Sequence, residues 1–402
     1  MITRTINLYK NAYRGLTKQI WLLSIVMLIN RSGTMVLAFM TLYCNHLGYT
    51  LQQGGYVVAV YGMGSIVGAL VGGKISDRFG FYYVQFGALF LGGTMFIVLG
   101  QMNSYLSIII CTFILSMINE SFRPANATAI ALYSTPENRT QSFSLVRLSI
   151  NLGWGIGSAL GGLLAAINYK LLFWVDGFTN ISAAFMLIAI LPKITKAQQH
   201  KPTTSTVIDV KAVSPYRDKK FLAFLVVQIL FAACFFQLFT NIPLYFKQAL
   251  HLSEFNIGLI LSANGLLIAL FEMVLVYKLE GRQPYLILMS YGSILMGLAF
   301  MILNVSFLSG ALIAITCMGL ITIAEMVSMP FMNSFYIERS SERTRGGYAG
   351  MYTMGWSIAQ VFGSSVGSLY ADQFGFFSLW ITVTLICMLA ALGFYMLQKS
   401  KW

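Results

Sequence analysis

The chain has 402 residues, 57% hydrophobic and only 10% charged, with a net charge of +13 and a mean hydropathy of +0.73. Soluble globular domains carry about 25% charged residues, so a soluble enzyme or soluble binding module is excluded. The basic excess follows membrane topology, as its distribution shows, and is not a nucleic-acid patch.

Crossing ~30 Å of hydrocarbon takes about 20 apolar residues, and stretches of that length recur along the whole sequence. In chain order, twelve spans are predicted: 19–43, 53–76, 82–101, 105–133, 141–166, 171–191, 221–247, 255–279, 284–304, 307–336, 347–370 and 375–397. The first run exceeds a signal-peptide core and has no small-residue cleavage site, so it is read as a span. Residues 192–220, "PKITKAQQHKPTTSTVIDVKAVSPYRDKK", are rich in Lys, Thr, Ser and Pro and read as a linker. The predicted organisation is therefore an N-terminal six-helix bundle (1–191), a cytoplasmic linker (192–220) and a C-terminal six-helix bundle (221–402).

On this layout 21 of the 26 Lys and Arg residues fall on the side of the termini and the linker. Only Lys170 and Lys247 fall on the other, and Arg31, Arg123 and Arg147 lie within spans. Cytoplasmic loops concentrate Lys and Arg, so both termini are predicted to be cytoplasmic. Cys44, Cys111, Cys234, Cys317 and Cys387 stand singly, with no spacing for a disulfide framework or a zinc site. His46, His200 and His251 fall at span ends or in the linker, without partners at metal-ligand spacing.

The two halves repeat. An offset of 203 places Gly55 on Gly258, Gly62 on Gly265 and Asp77 on Glu280; an offset of 206 places Pro124 on Pro330, Arg139 on Arg345, Gly157 on Gly363 and Gly161 on Gly367. One small insertion accounts for the change. Parallel six-helix repeats with a midplane site between them are a transporter design.

Three motifs then carry a resemblance. "GGKISDRFG" between spans 2 and 3 sets Gly73, Asp77, Arg78 and Gly80 in a G-x-x-x-D-R-x-G pattern, followed by Phe81 and Tyr82. In span 4, Arg123 is followed by Asn126 and Ala127, and in span 5 "GWGIGSALGG" carries Gly153, Gly157, Ser158, Gly161 and Gly162. With the span count, these resemble the major facilitator superfamily, specifically its twelve-span drug:proton antiporter branch. The span 2–3 pattern departs from that branch in lacking the basic pair after the glycine, the span-4 pattern matches R-x-x-Q-G only at its arginine, and Ser158 stands where the branch has proline. The resemblance implies an all-α integral membrane protein of twelve helices in two pseudo-symmetric bundles. It implies that Asp77 braces the halves near a helix N-terminus, where negative charge is favoured, and that Arg123 takes part in proton coupling. It also implies that spans 1, 4, 7 and 10 line a central cavity. The span-5 glycines alone make a smooth face for close helix packing, which is the alternative to an antiport signature.

Ionisable groups within spans cost roughly 2.5–3.5 kcal/mol each on the insertion scale and tend to face a bundle interior or water. Glu120 and Arg123 sit one helical turn apart in "NESFRPANATAI"; they either line a cavity and tune proton exchange, or the Glu120–Arg123 pair, or Arg31 bridging to Glu120, holds the bundle together. Glu325, in "MGLITIAEMVSMP", lies deep in span 10, and a carboxyl removed from water can exchange a proton near neutral pH. It is the first candidate for proton coupling, ahead of Glu120 and Arg123. Asn30, Arg31, Asn119, Gln237, Asn241 and Asn333 are the candidate cavity and substrate residues, with Phe39, Tyr43, Phe236 and Tyr336 as candidate apolar wall. Asp176, near the outer end of span 6, is expected to be a solvated structural group. Glu272 is expected to be structural, and Arg147 structural or gating.

Neither a nucleotide-binding loop, a metalloprotease signature nor a catalytic triad is present, so catalytic and metal residues are predicted as none and the energy source as a proton gradient without a cofactor. The expected function is proton-coupled export of amphipathic, cationic or neutral compounds by a monomer in a bacterial cytoplasmic membrane. Competing readings are proton symport of a nutrient such as a sugar or peptide, a flippase for a lipid or amphiphile, and a non-transporting receptor or scaffold. The expected partners are a small molecule, protons and the lipid bilayer, with no nucleic acid.

Overall fold

The computed structural model describes residues 2–193, 214–305 and 309–400, and among these every regular element is helical. Residues 194–213, most of the expected linker, lie outside the described residues. An amphipathic helix, α1 (Ile2–Tyr13), precedes the apolar helices α2 (Lys18–Ser32), α3 (Val36–His46), α4 (Leu51–Phe79), α5 (Phe81–Leu99), α6 (Tyr105–Glu120), α7 (Phe122–Tyr133), α8 (Arg139–Ile167) and α9 (Lys170–Ile190). After the linker come α10 (Lys219–Phe235), α11 (Asn241–Gln248), α12 (Glu254–Leu279), α13 (Tyr285–Ile302), α14 (Gly310–Arg339) and α15 (Arg345–Lys399).

Local chemistry sets many of the helix ends. Thr17, Ser104, Asp218 and Ser253 accept from backbone N–H groups in the first turns of α2, α6, α10 and α12, satisfying donors that a helix leaves open. Thr50 and Gln53 form a capping box at α4. Gly80, at φ +95°, turns the chain directly from α4 into α5, a backbone conformation that side chains other than glycine resist. Gly375, at φ +79°, breaks α15 in the same way.

Ten helical stretches among the described residues are long and apolar enough to cross a membrane. Two features separate this from the twelve expected. The 19–43 segment is interrupted between Ser32 and Val36, so α2 and α3 are each short, and α15 comprises two expected spans that meet directly at the non-helical Gly375. Many large apolar side chains face outward, including Leu106, Leu163 and Leu385 at 67%, 66% and 59% exposure, as helices in lipid require.

The chain forms two compact units. One comprises Gly15–Pro215 with Ile337–Met354; the other comprises Met1–Arg14, Tyr216–Tyr336 and Gly355–Trp402. This partition differs from 1–191 and 221–402 at two places. The α1 segment packs on α12, where the Tyr9 hydroxyl donates to Leu270 O over 2.8 Å. The start of α15 packs on α4. Within the first unit the main pairings are α4 on α6, α5 on α9 and α2 on α8. Within the second, Ser290 Oγ donates to Ala391 O and Thr384 Oγ1 to Gly297 O, joining α13 to α15.

Candidate functional site

Span 4 of the first unit is bent at the place the sequence marks. Pro124 has no N–H to offer the carbonyl of Glu120, and the helix divides there into α6, ending at Glu120, and α7, beginning at Phe122. Across the bend Arg123 Nη1 donates to Glu120 Oε2 over 3.2 Å, with side-chain exposures of 43% and 15%. Tyr61 of α4 and Arg31, in the last turn of α2, are close enough for their charges to act on this pair. The Asn119 side chain hydrogen-bonds Tyr61, and Tyr352 lies within electrostatic reach of Arg123. Arg31, Tyr61, Asn119, Glu120 and Arg123 thus form one polar cluster. Tyr61 is the member that the sequence did not single out, because one more tyrosine in a 14% aromatic chain carries no signal.

The span-5 glycines explain how Arg31 is placed. A methyl group on Gly153 would come within 2.6 Å of Arg31 Cβ and 3.0 Å of the Arg31 and Leu28 backbone, and one on Gly157 within 3.1 Å of Ser32 O. The glycine face lets α8 lie directly on the last turn of α2. Gly161 meets Met35 and the Phe39 ring, whereas Gly162 faces open space. Ser158 lies on α8, with its side chain outside the described residues. Arg147, on the same helix, is half-buried.

Asp176 corrects the expectation of a solvated carboxylate. It is 1% exposed, and its two oxygens accept from Met35 N at 3.1 Å each and from Val36 N at 2.9 Å. Those N–H groups open α3, so α9 supplies the cap for the second half of the interrupted first span. Asn30 lies beside this junction and donates to Asn180 Oδ1 over 2.8 Å. Asn30 is therefore engaged between α2 and α9.

In the second unit Glu325 is 3% exposed in α14. Asn264 of α12 donates to Glu325 Oε1 and to Thr322 Oγ1, both over 3.0 Å. Asn264 was legible as a polar residue in the apolar run "LSANGLL", but its partner 61 residues away was not. Pro330 sits inside α14 without dividing it. Half-buried Asn333 donates to Met329 O and accepts from the Tyr336 hydroxyl over 3.4 Å. Span 7 is interrupted by a 3-10 turn at Phe236–Phe239; in the 203 register Gly33, at the break of span 1, falls on Phe236. Gln237 donates from there to Gly363 O over 2.9 Å, Asn241 donates to Gln237 Oε1, and Ser368 donates to Asn241 over 3.1 Å. Gln237 and Asn241 tie the broken span to α15. Glu272 is buried in α12, within electrostatic reach of Tyr13 of α1.

Asp77 lies at a helix N-terminus. Its Oδ1 accepts from Gly346 N and its Oδ2 from Gly347 N, each over 2.7 Å, at the opening turn of α15. Gly73 makes this possible, since a methyl group there would meet Gly346 O at 2.4 Å. Arg78 is exposed, with its guanidinium 5.3 Å from the Phe79 ring. Among the described residues no group of three His, Cys, Asp or Glu side chains could hold a metal ion.

Long apolar helices, two interrupted spans at repeat-related positions and ionisable clusters within the spans define a polytopic membrane transporter rather than an enzyme. The family profile of the Major Facilitator Superfamily matches residues 20–352, and the chain belongs to that family. It is similar to a Na(+), Li(+), K(+)/H(+) antiporter of Planococcus maritimus, 23% identical over 83% of this chain and 85% of the relative. It is also similar to multidrug resistance protein 1 of Bacillus subtilis, 23% identical over 79% of this chain and 80% of the relative. Among solved structures, the human organic anion transporter MFSD10 shares the fold with a TM-score of 0.75 and 15% identity, covering 94% of this chain and 98% of that one.

Proposed function

We propose that this protein is a proton-coupled secondary active transporter that exports amphipathic, drug-like small molecules by alternating access. In this reading residues 1–191 and 221–402 are the rocking halves, both termini face the cytoplasm, and the protein works as a monomer in a bacterial cytoplasmic membrane. The observation that carries the reading is Glu325, a carboxyl 3% exposed within an apolar helix and hydrogen-bonded by Asn264. A static core would have little reason to keep an ionisable group at that depth, whereas a proton carrier requires one. The antiporter and the multidrug resistance relatives support exchange and export respectively.

The test is reconstitution in liposomes with a lumenal pH dye and a panel of lipophilic compounds, sugars and peptides. The reading expects proton movement opposite to an amphipathic compound. Proton movement in the same direction as a sugar or peptide would replace it with symport, and flux without proton movement would replace it with lipid or amphiphile translocation.

A further inference from the structure

We infer that Arg31 and Arg123 form a subsite for an anionic group, a carboxylate or phosphate, on the transported amphiphile. The inference deepens the transport reading and rests on it. The cluster holds two guanidinium groups, Arg31 and Arg123, against one carboxylate, Glu120, with Tyr61 and Tyr352 as the further titratable neighbours. The carboxylate is committed to Arg123 at 3.2 Å. The Arg31 side chain makes no hydrogen bond or ion pair to any described residue, and its Nε is buried without a partner among them. One positive charge is thus left over, inside a span, beside another of the same sign.

A purely structural arginine at that depth would be expected to have its buried donor satisfied, as nearly all buried polar groups are. The packing of Gly153 and Gly157 against the Arg31 backbone and Cβ instead fixes the residue in place, while no described residue hydrogen-bonds its guanidinium. A planar guanidinium fork fits carboxylate and phosphate oxygens with two parallel hydrogen bonds. The Arg123 side chain, 43% exposed, keeps the cluster accessible, and Tyr61 and Asn119 add neutral polar groups beside it. A lipophilic cation would meet two repulsive charges and one attractive one, so the cluster selects against the cationic compounds that the sequence alone suggested.

The experiment uses the full chain in nanodiscs of zwitterionic phosphatidylcholine and three matched fluorescent probes. These are a dansyl-labelled undecanoic acid, its primary amide, and the corresponding trimethylammonium. The acid is expected to bind at least tenfold more tightly than the amide, and the cation more weakly than either. Arg31→Gln should reduce the acid preference below threefold, and Arg31→Lys should retain part of it. Equal affinities for acid and amide in the unaltered protein, tightest binding of the cation, or a tenfold preference that survives Arg31→Gln would each overturn the inference. The first two comparisons need no variant, so misfolding cannot obscure them. Phosphatidylglycerol added to the nanodiscs distinguishes the source of the anion: competition with the acid points to a lipid headgroup, and its absence to a soluble amphiphile. Both support the anionic chemistry. Proton-coupled flux without an acid preference sinks this inference alone, whereas an acid preference without any transmembrane flux sinks the transport reading instead.

Discussion

Asp77 Oδ1 and Oδ2 receive the N–H groups of Gly346 and Gly347, each over 2.7 Å, across 269 and 270 residues of sequence. A carboxylate at a helix N-terminus satisfies open donors and the positive end of the helix dipole together. Asp77→Asn keeps the shape but removes the charge and replaces one acceptor oxygen with a donor. Transport by this variant is expected to fall at least fivefold at unchanged expression, and the rate of substrate-driven flux in liposomes measures it. A rate within twofold of the unaltered protein would remove Asp77 from the transport cycle.

Asp176 gives a stability prediction. A buried donor left without its acceptor costs about 1–3 kcal/mol, and Asp176 accepts from two backbone donors at the start of α3. Asp176→Ala leaves both donors buried without this acceptor and is expected to lower the thermal unfolding midpoint of the detergent-solubilised protein by several degrees. Asp176→Asn, retaining one acceptor oxygen, should lie between. A midpoint unchanged in the alanine variant would mean that the span-1 break does not depend on this cap.

The span-5 glycines are not equivalent. A methyl group on Gly153 would stand 2.6 Å from Arg31 Cβ and 3.0 Å from backbone, while one on Gly162 meets nothing within 4 Å. Gly153→Val should therefore force α8 away from α2 and abolish flux, whereas Gly162→Ala should transport normally. Flux assays on the pair decide this, and a normally active Gly153→Val would refute the close-packing role.

Much of this was legible in the sequence. The apolar spans and the family needed only local composition, spacing and motifs, whereas the Asp77 motif implied a helix N-terminus without saying which helix supplies it. The interruption of span 1 was missed although the polar run Asn30–Thr34 falls on it, because the group that stabilises the break, Asp176, lies 141 residues from Met35. The same distance problem concealed Asn30 with Asn180 and Glu325 with Asn264, 150 and 61 residues apart. Helix phase from one sequence says that a polar side chain is inside a span but not which neighbour it meets. Asn30, Gln237 and Asn241 illustrate this: each was a cavity candidate, and each is engaged by another helix of its own unit.

Asn264 offers a graded test of the Glu325 environment. Asn264→Ala removes the donor 3.0 Å from Glu325 Oε1 without touching the carboxyl. The pH profile of substrate-driven flux is expected to shift by a measurable fraction of a unit while substrate affinity stays within twofold. An unchanged profile would separate Asn264 from the proton path.

Glu325 is proposed to carry the coupled proton, and two modes of transport in Glu325→Gln test this. Liposomes holding the variant are assayed for substrate counterflow, which needs no net proton movement, and for substrate accumulation driven by an imposed pH gradient. Counterflow is expected to persist at a comparable rate while gradient-driven accumulation is lost. Accumulation by Glu325→Gln equal to that of the unaltered protein would contradict this role and reduce Glu325 to a packing residue of α14.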